Sequence, residues 1–254
     1  VKLRVLGCSG GIGARARTTS FLVDDDILID AGTGVEDLSV EELARIDHVF
    51  LTHSHLDHVA ALPLLVDSVG ALRTRPIVVH ALPETIAALR AHIFNWTIWP
   101  DFTEIPHYDQ PWMVFEPLLL GATATLGERS VRGIPANHTV PALGFHVFGP
   151  SGALAFSGDS WPTEDFWRVV NGIPDLRYLI IETAFSNRER DLAITAKHLY
   201  PIELGEQLRR LRRDAQVLVT HLKPSDADRI ASEVEAWAGR FRPRLLERGQ
   251  VLEF

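Results

Sequence analysis

Short runs in which apolar residues alternate with polar ones, or follow one another unbroken, punctuate the chain and predict strands. They fall at Lys2–Leu6, at Ser20–Val23 and Ile27–Asp30 on either side of an Asp24-Asp25-Asp26 turn, and at Val49–Thr52, Ile77–His80, Phe145–Phe148, Ala153–Phe156 and Tyr178–Ile181. Helical spacing predicts helices over Val59–Val69, where Pro63 is tolerable only near the start, and over Pro83–Phe94, Ile202–Arg213 and Asp226–Ala238. Strands and helices are therefore mixed throughout, an α/β pattern. Two strands that run into Thr-His echo each other, Val-Phe-Leu-Thr-His at 49–53 and Val-Leu-Val-Thr-His at 217–221, and predict two related halves. With no short-period repeat, no Gly/Ser linker and no block of like charge longer than the three aspartates, one domain is expected over 1–254. The segment 95–117 breaks the rhythm. It carries Trp96, Trp99, Phe102, His107, Tyr108 and Trp112 among four prolines, which suits an irregular lid or binding loop, or else an interface or a packed loop.

Composition narrows the classes. The chain has 254 residues, 46% of them hydrophobic, enough to bury a core. Its 25 Lys and Arg against 33 Asp and Glu leave a net charge of −8, so no global basic field exists to hold a long nucleic acid. A single cysteine, Cys8, excludes an intrachain disulfide framework and any multi-cysteine metal site. It suits a reducing, cytoplasmic setting, with a periplasmic one open if a segment ahead of Val1 has been removed. The longest stretch free of charged side chains, Gly133–Gly158, is interrupted by Pro135, Pro141, Pro150, Asn137, His138 and His146, so no membrane span is expected there.

Two motifs fail on context. Gly7-Cys8-Ser9-Gly10-Gly11 fits the nucleophile-elbow pattern, and Gly11-x-Gly13-x-x-Ala16 with Asp30 further on mimics a dinucleotide fingerprint. Both need a helix next, and Ile12–Thr19 has no apolar periodicity. A glycine-rich strand connection packed against other backbone is the expectation.

His53-Ser54-His55-Leu56-Asp57-His58 differs in kind, placing four candidate ligands in six residues directly after an apolar strand. In extended chain, residues two apart project to one side, so His53 and His55 can grip one ion. The chain then turns into a helix near Val59, and Asp57 and His58 can swing toward a second ion. Imidazole with carboxylate suits zinc or another borderline divalent cation. His138, Asp159 and His221, each at the end of an apolar run, are candidates to complete a dinuclear site. His48, His80, His92 and His146 lack such context and read as ordinary core or surface histidines.

At these residues the chain resembles the metallo-β-lactamase superfamily, whose H-x-H-x-D-H motif is followed by a distant His, an Asp and a final His. The resemblance runs nearly the whole length. It implies an α/β fold, an αββα metallo-β-lactamase-fold sandwich with the site at one edge of two sheets. By position, His53, His55 and His138 would hold one metal, Asp57, His58 and His221 the other, and Asp159 would bridge two divalent ions, zinc first, manganese or iron as alternatives. Finer features resemble the class II cyclic-nucleotide phosphodiesterases, a branch near ribonuclease Z: Leu-Gly-Cys-Ser-Gly-Gly at 6–11, Thr-His-Ser-His-Leu-Asp-His at 52–58, Lys197-His198-Leu199-Tyr200-Pro201, Thr-His-Leu-Lys-Pro at 220–224, and the stretch Asn95-Trp96 to Trp99-Pro100. The third departs from that branch's usual Gly-His-Leu-Thr-Pro.

The resemblance implies hydrolysis of 3′,5′-cyclic nucleotides, cAMP or cGMP, to nucleoside 5′-monophosphates. A water activated between two metals about 3.5–4 Å apart would attack phosphorus in line with the ribose 3′ oxygen. The implied catalytic set is His198, as acid to that leaving oxygen, Glu182 in Ile-Ile-Glu-Thr-Ala-Phe, which would orient and charge it, and Asp57. Trp96 or Trp99 would stack on a base. The expected partner is a small cyclic nucleotide, not a long nucleic acid or a membrane, and relatives on this branch are often homodimers. The alternatives are a ribonuclease Z-like tRNA 3′-processing endonuclease, which usually needs a projecting basic arm that has no counterpart here, a lactone or ester hydrolase on the same fold, and a scaffold with a vestigial site.

Overall fold

The computed structural model describes residues 1–161 and 163–254. Two seven-stranded sheets face each other. The first runs, in spatial order, Val251–Glu253, Lys2–Gly7, Ser20–Val23, Ile27–Ile29, His48–Phe50, Ile77–Ala81 and Met113–Pro117. The second runs Thr123–Leu126, Arg129–Pro135, Leu143–Gly149, Gly152–Phe156, Leu176–Glu182, Gln216–Thr220 and Arg244–Leu245. Written this way, the first four strands of each sheet pair antiparallel and the remaining pairings are parallel.

Alternation along each strand makes three apolar layers. In His48–Phe50 and the residue beyond, Val49 and Leu51 join the helices Leu62–Val69 and Pro83–His92 in an outer core, while Phe50 turns inward. Between the sheets, Phe50 meets Phe145 edge-on at 5.9 Å and Phe21 meets Phe156 at 5.1 Å. Outside the second sheet, Leu179, Ile181, Val217 and Val219 pack under the helices Glu164–Asn171, Pro201–Leu208 and Ala227–Ala238. The central parallel strands are thus buried on both faces, which explains their unbroken apolar runs. The result is an αββα sandwich. Among the described residues no helix is long and apolar enough to cross a membrane.

Four of the sequence expectations differ from the structure. The helix expected from Val59 begins earlier, at Leu56, and comes in two pieces, Leu56–Val59 and Leu62–Val69. Pro63, which cannot donate to residue 59 and whose ring crowds that carbonyl, forces the break, and so Asp57 and His58 sit in a first short helical turn. The helix expected over Ile202–Arg213 ends at Leu208. The last five residues of the segment 95–117 are not loop, since Met113–Pro117 pairs parallel with Ile77–Ala81. The part before it folds onto the first outer core through Phe102, buried, and Trp99 and Trp112, half-buried, while Trp96 and Tyr108 stay exposed. Finally, the two halves do share a strand pattern, but the echoing segments are not equivalent in it: His48–Phe50 is the first strand past the antiparallel set of its sheet, whereas Gln216–Thr220 is the second.

Candidate metal centre

The parallel strands of both sheets end at one edge, and their last residues or one of the three beyond carry the polar side chains. Asp30 follows Ile27–Ile29, Thr52 and His53 follow His48–Phe50, Asp159 follows Gly152–Phe156, Glu182 closes Leu176–Glu182, and Thr220 and His221 end Gln216–Thr220. All are buried. His55 is still extended (φ −64°, ψ 145°) before the turn Leu56–Val59 swings Asp57 and His58 round.

This topology brings together every ligand candidate read from the sequence. Donor atoms of His53, His55 and His138 lie within 4.8 Å of one another, as do those of Asp57, His58, Asp159 and His221. Asp159 stands between the groups: its Oδ2 is 3.2 Å from His58 Nε2, 3.3 Å from His221 Nε2 and 3.8 Å from His53 Nε2. Asp57 Oδ2 is 3.7 Å from His221 Nε2 and 3.9 Å from His58 Nε2, and His55 Nδ1 is 3.1 Å from His138 Nε2.

The donors fit divalent cations on three counts. Among the described residues His53 Nε2 and His221 Nε2, both buried, and His138 Nδ1 have no hydrogen-bond partner, a cost a cation at the two Nε2 atoms would remove. The far nitrogens of three ligands are already occupied, which fixes the rings: Thr52 Oγ1 lies 2.9 Å from His53 Nδ1, Asp30 Oδ2 accepts from His58 Nδ1 at 2.7 Å, and Thr19 Oγ1 lies 3.3 Å from His221 Nδ1. Only nitrogen and oxygen donors converge. The Cys8 thiol is pushed up to about 11 by burial and donates to the Leu246 carbonyl at 3.3 Å.

Electrostatics point the same way. Burial holds His53 far below the ordinary imidazole range, brings His138 down to about 4 and also depresses His221, so these rings are neutral, as ligands must be. For Asp159, burial alone would raise the carboxyl, but His221 and His58 hold it well below the usual carboxylate range. His58 is lowered by burial and raised more strongly by Asp159 and Asp30, so positive charge is drawn to the seam between them.

Beside the cluster lies His198, with a nitrogen within 4.8 Å of donor atoms on His138 and Asp159 and its ring stacked on His221 at 5.3 Å. Its Nδ1 donates to Glu182 Oε1 at 2.9 Å. Burial opposes its charge, yet Glu182 raises it above the ordinary range. Burial pushes the Glu182 carboxyl up and His198 pulls it back; the same carboxylate also accepts the N–H groups of Leu199, at 3.3 Å, and Ser160, at 3.2 Å.

Trp99 packs on the first outer core, Trp96 is exposed at φ 62°, and among the described residues neither ring pairs with a histidine of the cluster. The glycine loop is the packed connection expected of it. No helix follows, Ser9 Oγ donates to the Leu222 carbonyl at 3.2 Å, and a Cβ on Gly10 would sit 2.4 Å from the His221 carbonyl oxygen. Sequence reasoning missed Asp30, Thr52 and Thr19, the groups behind the ligands. Asp30 stood out in the sequence as an acid ending an apolar run and as part of the failed dinucleotide fingerprint, and neither signal points to a metal site.

A family model described as a β-lactamase superfamily domain matches residues 25–222. A Yersinia pestis protein named as a probable 3′,5′-cyclic-nucleotide phosphodiesterase is 25% identical over 276 aligned residues, covering 87% of this chain and 77% of its own. A ribonuclease Z of Parabacteroides distasonis is 26% identical over 152 residues, 56% of this chain and 48% of its own. The crystal structure of unliganded yeast PDE1 superposes over 100% of this chain and 99% of its own with a TM-score of 0.81 at 18% identity, which shows a shared fold.

Proposed function

The chain belongs to the β-lactamase superfamily, shown by the match over residues 25–222, and from that premise we propose that it is a metal-dependent hydrolase that opens 3′,5′-cyclic nucleotides, cAMP or cGMP, to 5′-monophosphates. The proposed ligands are His53, His55 and His138 for one ion, Asp57, His58 and His221 for the other, and Asp159 between them, zinc being the first candidate metal and manganese or iron the alternatives. Bound there, two divalent cations would make the attacking water more acidic and would neutralise charge gathering on the phosphoryl oxygens.

The chain's own residues do the rest. His198, its Nδ1 engaged by Glu182, keeps Nε2 for the substrate and gives its proton to the ribose 3′ oxygen as the P–O3′ bond breaks. The new P–O bond comes from water, whose displaced proton restores the imidazolium, so one water is consumed and one phosphate monoester formed. Glu182 stabilises the charged ring, and through Ser160 and Leu199 it holds the Asp159 and His198 segments together. The carrying observation is this buried acid pair set beside a cluster of seven nitrogen and oxygen donors. The cyclic-nucleotide specificity is supported by the relative named above, similar across most of both chains.

A second reading, a tRNA 3′-processing nuclease, would use the same groups. The ribonuclease Z similarity favours it, but that alignment spans about half of each chain, and a net charge of −8 disfavours a long polyanion. The test is incubation of zinc- or manganese-loaded protein with cAMP and cGMP, with chromatography of the product and a chelator control. Chelator-sensitive release of the 5′-monophosphate is expected. No turnover by a fully metallated sample would overturn the proposal and turn attention to pre-tRNA and then lactone substrates.

A further inference from the structure

Lys197 stands where the backbone does not favour it. It closes the helix Arg190–Ala196 at φ 56°, ψ 44°, the left-handed conformation that glycine adopts at such a position without a steric penalty. A lysine kept there needs a compensating contact, and the structure supplies one. The ammonium donates to Asn137 Oδ1 at 2.9 Å and to the His138 carbonyl oxygen at 2.8 Å, reaching about sixty positions back along the chain. The next residue is His198, and the residue it holds is His138.

The loop it grips has few other anchors to the second half of the site. The Asn137 N–H donates to Ser160 Oγ at 2.9 Å, and the Trp161 N–H donates to the Asn137 carbonyl at 2.8 Å. Both tie the loop to the Asp159 segment. Lys197 adds a tie to the His198 segment, so one loop is fixed against the bridging carboxylate on one side and the proton donor on the other. The geometry points to Lys197 as a positioning residue that sets His138 relative to His198. It spends a strained backbone to bring a charged donor to the loop, and a charge-assisted bond to a carbonyl holds more firmly than a neutral one.

This inference rests on reading His138 as a ligand, so metal affinity rather than turnover is the primary readout. Zinc affinity is measured by competition with a chromophoric chelator for the parent, Lys197→Gly and Lys197→Met, with thermal melting followed by circular dichroism. Glycine accepts the left-handed backbone and removes the ammonium; methionine keeps the strain and removes it too. Both variants are expected to bind zinc about 10–100-fold more weakly, the range seen when groups supporting a ligand are lost. Lys197→Gly should melt at or above Lys197→Met, which separates affinity from general stability. Unchanged zinc affinity in both variants, whatever their melting temperatures, would overturn the role of Lys197. A parent that binds no zinc would instead overturn the ligand set, and this proposal with it, whether or not a cyclic nucleotide is the substrate.

Discussion

The strands Ile27–Ile29 and His48–Phe50 carry acids or ligands at both ends, and the two ends of the molecule treat them in opposite ways. At the amino ends, Asp26 accepts from Arg129 at 2.7 Å, Asp24 from the same guanidinium at 3.1 Å, and Asp47 from Arg73 at 2.6 Å and Arg75 at 3.1 Å. Those pairs are partly exposed, and every charge meets a cation already on the chain. At the carboxyl ends, Asp30, and Asp159 from the end of Gly152–Phe156 beside it, are buried and face histidines, two of which keep a bare nitrogen aimed into the cluster. Arginine closes a carboxylate permanently. Imidazole can stay neutral and leave a lone pair, so the same acidic chemistry becomes a finished surface at one end and an incomplete one at the other.

The sharpest way to break this contrast is Asp159→Ala, which should abolish both tight zinc binding and turnover, read by metal analysis after gel filtration and by product formation. His198→Ala should keep its zinc while kcat falls about 10²–10⁴-fold, the usual contribution of a positioned acid. Wild-type turnover in that variant would remove His198 from the mechanism. At the other end, Asp26→Asn should leave zinc and turnover untouched and cost at most about 1 kcal/mol, as expected for a solvent-screened pair. The sign of its pH dependence follows from the Arg129 hydrogen bond, which lowers the Asp26 carboxyl in the folded state. That stabilisation is present above the unfolded aspartate value of about 3.9 and fades as pH falls through the lower folded value. Urea midpoints of parent and variant should therefore differ at pH 7 and converge toward pH 3, and the difference should shrink in high salt.

Much of the cluster was legible because its chemistry is concentrated. Four candidate ligands in six residues, after a strand both of whose faces are apolar, have no common bland explanation, and the distant members each end an apolar run. The residues behind them were not legible. Asp30 and Thr19 act only because strands remote in sequence end beside one another, and Thr52, although it adjoins His53, is a common strand residue whose role nothing local marks. The fold divides in the same way. Strands buried on both faces announced themselves, whereas Thr123–Leu126 and Arg129–Pro135, at the polar edge of the second sheet, carry arginine and threonine on their open face and have no counterpart in the sequence reading. The helix Glu164–Asn171 rests on a Thr163 cap, Phe166 N–H to Oγ1 at 3.1 Å, and is too short for its period to stand out. Lys197 was noticed as a departure from a pattern; its reach to His138 required the fold.

The site gathers side chains from both sheets, with the proposed ligands running from His53 to His221, 168 positions apart in the chain. Ions held by that set would act as a removable cross-link over most of the polypeptide, fastening the amino-terminal half to the carboxyl-terminal half at the rim of their shared core. Closing so long a loop restricts the unfolded chain as a covalent staple does. Metal supply would then set how long the folded molecule survives as well as how fast it works, and a metal-starved copy should first come apart along the seam between the sheets.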